Sequence, residues 1–201
     1  MAATLPTSSS VPSPSRRPAN LLTLWGVLGP MALLSTGVWR VLPHAIEPWL
    51  TPGSLSALHI ALYAASVGFN AWTEGYRAFQ KMIAPRVLAR AQWLTDNPER
   101  VHPLLAPIFV AGFFAMQKRA IIVRYVFLVV IICVIIGMKF MPQPWRGIID
   151  AGVAVGLGWG VIAMGVGLIQ LFRGVVPDAD PQLPDAWVIQ DGNEASTHSR
   201  A

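Results

Sequence analysis

A row of polar side chains on one predicted helix is the strongest candidate for chemistry in this sequence. The row consists of His59, Tyr63, Ser66, Asn70 and Glu74, spaced by four, three, four and four residues. At about 3.6 residues per turn, this spacing places the side chains along one side of a helix. We call this row the polar seam. Because polar groups are costly in hydrocarbon, the seam is expected to face protein or a wet cavity.

The polar seam has two interpretations. It could line a polar pathway or a cofactor surface, with His59 towards the outer half and Glu74 at the inner edge. It could instead supply hydrogen bonds that fix the helix bundle, each worth about 0.6–2 kcal/mol. The second interpretation is favoured, because no other predicted span carries a matching polar row. Glu74 could also form an ion pair with Arg124 at the start of the next span, although Arg124 can snorkel to the headgroups instead.

Small residues form a continuous face on two predicted helices. On the last apolar run the face contains Gly152, Gly156, Gly160 and Gly167, and on the second run it contains Ala61 and Gly68. Small side chains let helix backbones approach closely in lipid, so both faces are predicted to pack against helices. The partner of the glycine face is either the small face of the second run or a second copy of the chain.

Metal and cofactor chemistry finds little support in the residue types. Cys133 is the single cysteine, so a thiolate cluster is excluded. Of the four histidines only His59 lies inside a predicted span, whereas a membrane haem usually needs two facing ligands. No nucleotide-binding or hydrolase motif is present. The sequence therefore predicts no metal site and no cofactor.

The elements that position these residues are four apolar runs, at 21–39, 55–73, 120–138 and 148–171. Nineteen helical residues extend about 28 Å, enough for the hydrocarbon core of a bilayer. Hydrophobic residues make up 54% of the chain and charged residues 12%, about half the share of charge in soluble proteins. The prediction is an all-α integral membrane protein, a bundle of four transmembrane helices over residues 20–174.

Charge sets the expected orientation. Segment 75–119, between the second and third runs, is rich in arginine and lysine, which places it in the cytoplasm. Four spans then put both termini in the cytoplasm too. Arginine outnumbers lysine twelve to three, which favours a bacterial chain and so the bacterial inner membrane.

The cytoplasmic segment is expected to be amphipathic and partly re-entrant. Residues 76–94 alternate apolar and basic positions at helical spacing, so this part either lies on anionic lipid or caps the bundle. Residues 104–116 are apolar but too short to cross. An interfacial or re-entrant segment is preferred there over a helix buried against the bundle.

Both ends of the chain are predicted to be flexible tails, at 1–19 and at 175–201, and the second is acidic. Its apolar island at 186–189 could dock on a partner or on the basic loop of its own chain. The favoured function is a non-enzymatic accessory, assembly or scaffold subunit, partnered by the bilayer and by a membrane protein or a second copy. The alternative is a small transporter or channel that uses the polar seam, followed by a membrane redox or lipid-modifying enzyme. Nucleic acid is not an expected partner, because the charge is sparse and follows membrane topology.

Overall fold

The computed structural model describes residues 18–115, 118–175, 178–184 and 187, and every regular element in these ranges is helical. In chain order the elements are α1 (Leu21–Leu50), α2 (Ala57–Asn70), a π-helical segment (Ala71–Ile83), α3 (Ala84–Asp96), a 3-10 turn (Pro103–Leu105), α4 (Ala106–Val110), α5 (Lys118–Met138) and α6 (Trp145–Phe172). The all-α part of the predicted fold class is confirmed for this part of the chain. Of the predicted tails, only residues 18–19 at one end and 175, 178–184 and 187 at the other belong to this part.

Two of the described helices, α1 and α6, are long and apolar enough to cross a membrane. This supports a membrane protein in general terms, but it does not confirm a bundle of four spans. The second predicted run appears as α2, which continues without interruption through the π-helical segment into α3.

Helix α1 begins at a capping box and continues past its predicted end at Trp39. Asn20 Oδ1 accepts hydrogen bonds from the backbone N–H groups of Leu22 and Thr23, at 2.9 and 3.1 Å. The helix runs on to Leu50 with Pro43 and Pro48 inside it. His44 and Glu47, which the sequence analysis leaves outside the spans, therefore belong to the last turns of α1.

Helix α6 lies at the centre of the bundle, and its neighbours run either parallel or antiparallel to it. Ser66 lies beside Gly152, Phe79 beside Gly160 and Leu88 beside Gly167, so α2, the π-helical segment and α3 run parallel to α6. Helix α1 runs the opposite way, because His44 lies beside Gly147 and Leu34 beside Gly160.

Helices α3 and α4 form a compact unit on the N-terminal half of α1, which we call the cap. Leu94, Ala106, Phe109 and Val110 are fully buried in it. Val110 lies against Gly26 of α1, and the hydroxyls of Thr23 and Thr95 are 2.5 Å apart between α1 and α3. Within 104–110, Ala106, Phe109 and Val110 are thus buried, whereas Leu104, Leu105 and Ile108 are exposed. The preference for an interfacial or re-entrant segment stays a prediction.

Helix α5 is almost unsupported by the rest of the fold. Every side chain from Leu128 to Ile136 is exposed. Near its start, Tyr125 donates a long hydrogen bond of 3.5 Å to the carbonyl of Phe113 in the cap. Its last residue, Met138, is followed closely by the start of α6 at Trp145. The helix therefore joins the cap to the opposite end of α6.

Candidate functional site

The polar seam, which runs along α2 and reaches the π-helical segment at Glu74, packs directly against the glycine face of α6. A Cβ built on Gly152 would lie 2.5 Å from Ser66 Oγ, and one built on Gly156 would lie 2.6 Å from Glu74 Oε2. Tyr63 lies against Gly147 in the same way. The large polar side chains of one helix thus occupy the space left by missing side chains on the other.

Hydrogen bonds of the seam are mostly local. The Tyr63 hydroxyl donates to the carbonyl of Ala45 in α1 at 3.3 Å, and Asn70 Nδ2 donates to the carbonyl of Ser66 at 2.9 Å. His59 Nδ1 accepts from the backbone N–H of Ser56 at 3.2 Å, as part of the cap of α2. The His59 ring also meets Trp145 edge to face, with ring centroids 5.3 Å apart. The seam is therefore a filled contact between α1, α2 and α6.

The small face of α2 has a different environment from the one expected for it. Ala61 is exposed, and no described atom lies within 4 Å of a Cβ built on Gly68. Gly152 and Gly156 contact the polar seam instead of this small face. Shape complementarity explains the choice, because a bulky row fills the groove over the glycines, whereas two small faces would fill it less completely.

The predicted pair of Glu74 and Arg124 stays a prediction. The Glu74 side chain is directed at Gly156, and its Cβ lies 3.0 Å from where a Cβ on that glycine would be. The side chain of Arg124 lies outside the part of the chain that the structure describes.

A polar cluster joins the end of α1 to the start of α6. Gln143 Nε2 donates to Glu47 Oε2 at 2.9 Å and to the carbonyl of His44 at 3.2 Å, while its Oε1 accepts from the N–H of Gly147 at 2.9 Å. One turn along, Arg146 Nε lies 3.5 Å from Asp150 Oδ2, and the Asp150 side chain is only 4% exposed. The ion pair was not predicted, although the spacing of four residues between Arg146 and Asp150 is a sequence signal for one. The role of Gln143 has no such signal in the sequence.

Arg90 is the structural centre of the cap. Arg90 is 2% exposed, and its guanidinium carbon lies 4.2 Å from the centre of the Phe109 ring. Nε donates to the carbonyl of Phe109 at 2.8 Å, Nη2 to that of Phe114 at 2.9 Å, and Nη1 to that of Pro181 at 3.0 Å. One side chain therefore ties α3, the segment after α4 and the C-terminal segment 178–184 together. From its spacing in the sequence, Arg90 was expected on a basic amphipathic face, and this role was not predicted.

The C-terminal segment folds back onto the cap of its own chain. Leu183 is 3% exposed, and the Trp187 ring stacks on Trp93 with centroids 5.3 Å apart and planes 18° apart. Trp187 also lies 6.2 Å from Phe109. For this residue of the predicted apolar island, the contact is with the basic segment of the same chain. The other three residues of the island lie outside the described ranges.

Two grooves open sideways between the helices. The first, of about 340 Å³, lies between the π-helical segment, α3 and α6, and is lined by Gln80, Ala84, Pro85, Leu88, Trp159, Ile162, Ala163, Val166, Gly167 and Gln170. The second, of about 440 Å³, is nearly all apolar and is lined by α1, α2 and α6, including Trp49, Tyr63, Ala64 and Ala154. Of the polar seam only Tyr63 lines either groove.

No protein-family model, no curated protein and no solved structure matches this chain. Its function therefore has to be argued from the geometry of its own residues.

Proposed function

We propose that this chain is a multi-pass integral membrane protein that acts without catalysis, as an accessory, assembly or scaffold subunit of a membrane complex. The observation that carries the proposal is the packing of the polar seam against the glycine face of α6. Ser66, Asn70 and Glu74 fill the space over Gly152 and Gly156, so the polar groups of α2 serve the cohesion of the bundle. The same packing argues against a polar pathway along this helix.

Embedding in a bilayer is supported by the exposed surface of α5. From Leu128 to Ile136 its side chains are all apolar and all exposed. Water-soluble proteins rarely expose apolar patches larger than a few hundred Å². In a bilayer this surface faces lipid, and α5 becomes the third of four spans.

The directions of the helices agree with four spans. Helices α2 and α6 run parallel to each other and opposite to α1. That alternation is required if α1 and α5 cross in one direction and α2 and α6 return. The basic segment between α2 and α5 favours a cytoplasmic cap and cytoplasmic termini in a bacterial inner membrane.

Association with another membrane protein is supported by the small face of α2. Ala57, Ala61, Ala64 and Gly68 are exposed along one side of the helix. Small faces drive helix association in lipid, because they permit close backbone contact. A second copy of the chain or a different membrane protein would fit this face.

The test compares two glycines that both have free space in the fold. A Cβ meets no described atom within 4 Å at Gly68 of α2 or at Gly158 of α6. We expect the tagged protein to resist alkaline extraction from membranes and to elute in mild detergent with a stoichiometric partner or as an oligomer. Gly68→Leu is expected to reduce this association, and Gly158→Leu is expected to preserve it.

A monomer in mild detergent, with no partner and with association unchanged by Gly68→Leu, would contradict the proposal. Transport would then become the leading hypothesis, and flux into vesicles would be measured for Asn70→Ala. Loss of flux with normal accumulation of the variant would support a polar pathway.

A further inference from the structure

The C-terminal segment 178–184, together with Trp187, covers an aromatic surface of the cap. This surface is formed by Trp93, Phe109 and Phe114, and we call it the aromatic face. Trp187 stacks on Trp93 with ring centroids 5.3 Å apart and lies 6.2 Å from Phe109, which in turn packs on Phe114 at 5.7 Å. Residues 178–184 contain no helix or strand. Three contiguous rings are thus covered by an irregular part of the same chain.

Two side chains anchor the C-terminal segment on the cap. Leu183 is 3% exposed and belongs to the same apolar core as Phe109. The backbone N–H of Trp187 donates to the carbonyl of Pro184 at 2.9 Å, and this turn directs the indole ring onto Trp93. Proline restricts the free chain in advance, so a peptide that contains it loses less entropy on binding an aromatic surface. The segment therefore has the chemistry of a docked peptide.

The hydrogen bonds of the cap persist if the segment leaves. Arg90 Nη1 donates to the carbonyl of Pro181 at 3.0 Å, but it also donates to the carbonyl of Ala115 at 3.3 Å. Nε of the same side chain binds the carbonyl of Phe109 within the cap. In the bound segment Gln182 has a φ of 53°, a left-handed conformation that is unfavourable for a residue with a side chain. Both features favour reversible attachment of the segment.

Charge also matches the segment to the cap. Asp178 and Asp180 are exposed acids of the segment, and the region 175–201 is acidic as a whole. The region 75–119, which contains the cap, is rich in arginine and lysine. Opposite charges speed association and select against wrong partners. A ligand of the aromatic face is therefore expected to be acidic.

We propose that the aromatic face is a docking site for an acidic, proline-containing peptide of a partner protein, and that the C-terminal segment is its displaceable occupant in the free chain. The partner's peptide carries a leucine and a tryptophan at the spacing of Leu183 and Trp187. A second copy of the chain offers the same contacts without the advantage of attachment, so exchange of the segment between copies is disfavoured. All these contacts lie in the cap and the segment, so the docking site goes beyond the proposed function and does not depend on membrane insertion.

The probe is a fluorescent peptide with the sequence of residues 176–190, added to the purified full chain in detergent. Its affinity is measured by fluorescence anisotropy for the wild type and for Leu183→Ala/Trp187→Ala, whose own segment has lost both anchors. If the open face binds the peptide with a Kd of about 100 μM, an attached competitor at an effective concentration of about 1 mM weakens binding to the wild type about tenfold. We expect this difference, and no binding of a peptide that carries the same two alanines.

The matched control is Leu58→Ala/Trp72→Ala, which removes an exposed leucine and an exposed tryptophan on α2 and the π-helical segment. It should bind the peptide as weakly as the wild type. Equal affinity of the wild type and Leu183→Ala/Trp187→Ala, or no binding to either, would overturn the proposal. Unchanged affinity after Trp93→Ala is added to that variant would also overturn it. So would two differently tagged copies that co-purify only while Leu183 and Trp187 are present, because the partner would then be a second copy.

A second measurement leaves the side chains of the cap and the segment unaltered. A protease site is inserted after Val175, and the chain is cut once it has folded. We expect the cut fragment to dissociate on dilution and the fluorescent peptide to bind in its place. A fragment that stays bound and resists exchange would contradict the proposal, since the segment would then be a permanent part of the cap.

Discussion

Gly152→Ala tests the contact between the polar seam of α2 and the glycine face of α6. The added Cβ would lie 2.5 Å from Ser66 Oγ and 3.0 Å from Asn70 Cγ. Real Cβ atoms essentially never approach another heavy atom closer than 3.0 Å. The substitution therefore forces these side chains to move or the two helices to separate.

The size of the effect follows from two opposing contributions. Overpacking a well-filled contact costs about 1–3 kcal/mol. Replacing a helical glycine by alanine gains about 0.5–1 kcal/mol where there is room. Gly158→Ala should show only the gain in the free energy of unfolding, because no described atom lies within 4 Å of a Cβ built on Gly158. Because both variants share the gain, they should differ by the overpacking cost alone, about 1–3 kcal/mol, at about 2–4 °C in Tm for each kcal/mol.

The assay is thermal unfolding of both purified variants in one detergent, followed by far-ultraviolet circular dichroism. A second step identifies the obstructing side chain, since Asn70 supplies two of the three atoms nearest the new methyl group. Asn70→Ala should restore part of the stability lost in Gly152→Ala, with a coupling of about 0.5–3 kcal/mol. If Gly152→Ala unfolds at the same temperature as Gly158→Ala, the close contact at Gly152 is refuted. It is also refuted if the effects of Gly152→Ala and Asn70→Ala on the free energy of unfolding are additive.

Two further predictions concern buried charged groups. Arg90→Met should destabilise the cap by about 3 kcal/mol or more, because several buried carbonyls lose a charged donor. It should also release Trp187 from Trp93, seen as a change in tryptophan fluorescence, whereas exposed Arg77→Met should leave the spectrum unchanged. Asp150→Leu should cost about 3–5 kcal/mol in denaturant unfolding, and the double variant Arg146→Leu/Asp150→Leu should recover most of that loss. A double variant less stable than Asp150→Leu would contradict the pairing.

The spacing of residues identified the two faces that meet, but not which face of α2 meets α6. His59 to Glu74 and Gly152 to Gly167 stand at helical intervals that are readable in the sequence. The small face of α2 satisfied the same packing rule as its polar seam, so periodicity could not choose between them. The choice depends on the fit of large side chains over missing ones, as at Gly156 and Glu74.

Arg90 shows why the cap could not be predicted from local pattern. In the sequence it is one of several regularly spaced cations, which is typical of a solvated or lipid-facing surface. Its acceptors are carbonyls 19, 24 and 91 residues away. Backbone carbonyls carry no sequence signature, so a buried arginine that binds them resembles an exposed one until the fold is known.

The end of α1 was placed too early for a related reason. Arg40 closed the first apolar run, so His44 and Glu47 were expected in a loop outside the membrane. In the structure Pro48 is buried beside Gly147, and Gln143 binds the carbonyl of His44 and the side chain of Glu47. These contacts from α6 hold the last turns of α1 helical, which local propensity would not do.

The contacts of α6 explain which surfaces of the bundle are filled and which are open. Gly147, Gly152, Gly156, Gly160 and Gly167 of α6 are contacted by side chains of α1, α2, the π-helical segment and α3, and Trp145 is contacted by His59 of α2. Two grooves open sideways between the helices, one beside Tyr63 and one beside Gln80. A bundle filled along its axis and open at its sides is suited to interactions within the plane of a membrane. For this reason the association test at Gly68 addresses a surface that the fold leaves free, whereas substitutions in the seam address the stability of the bundle.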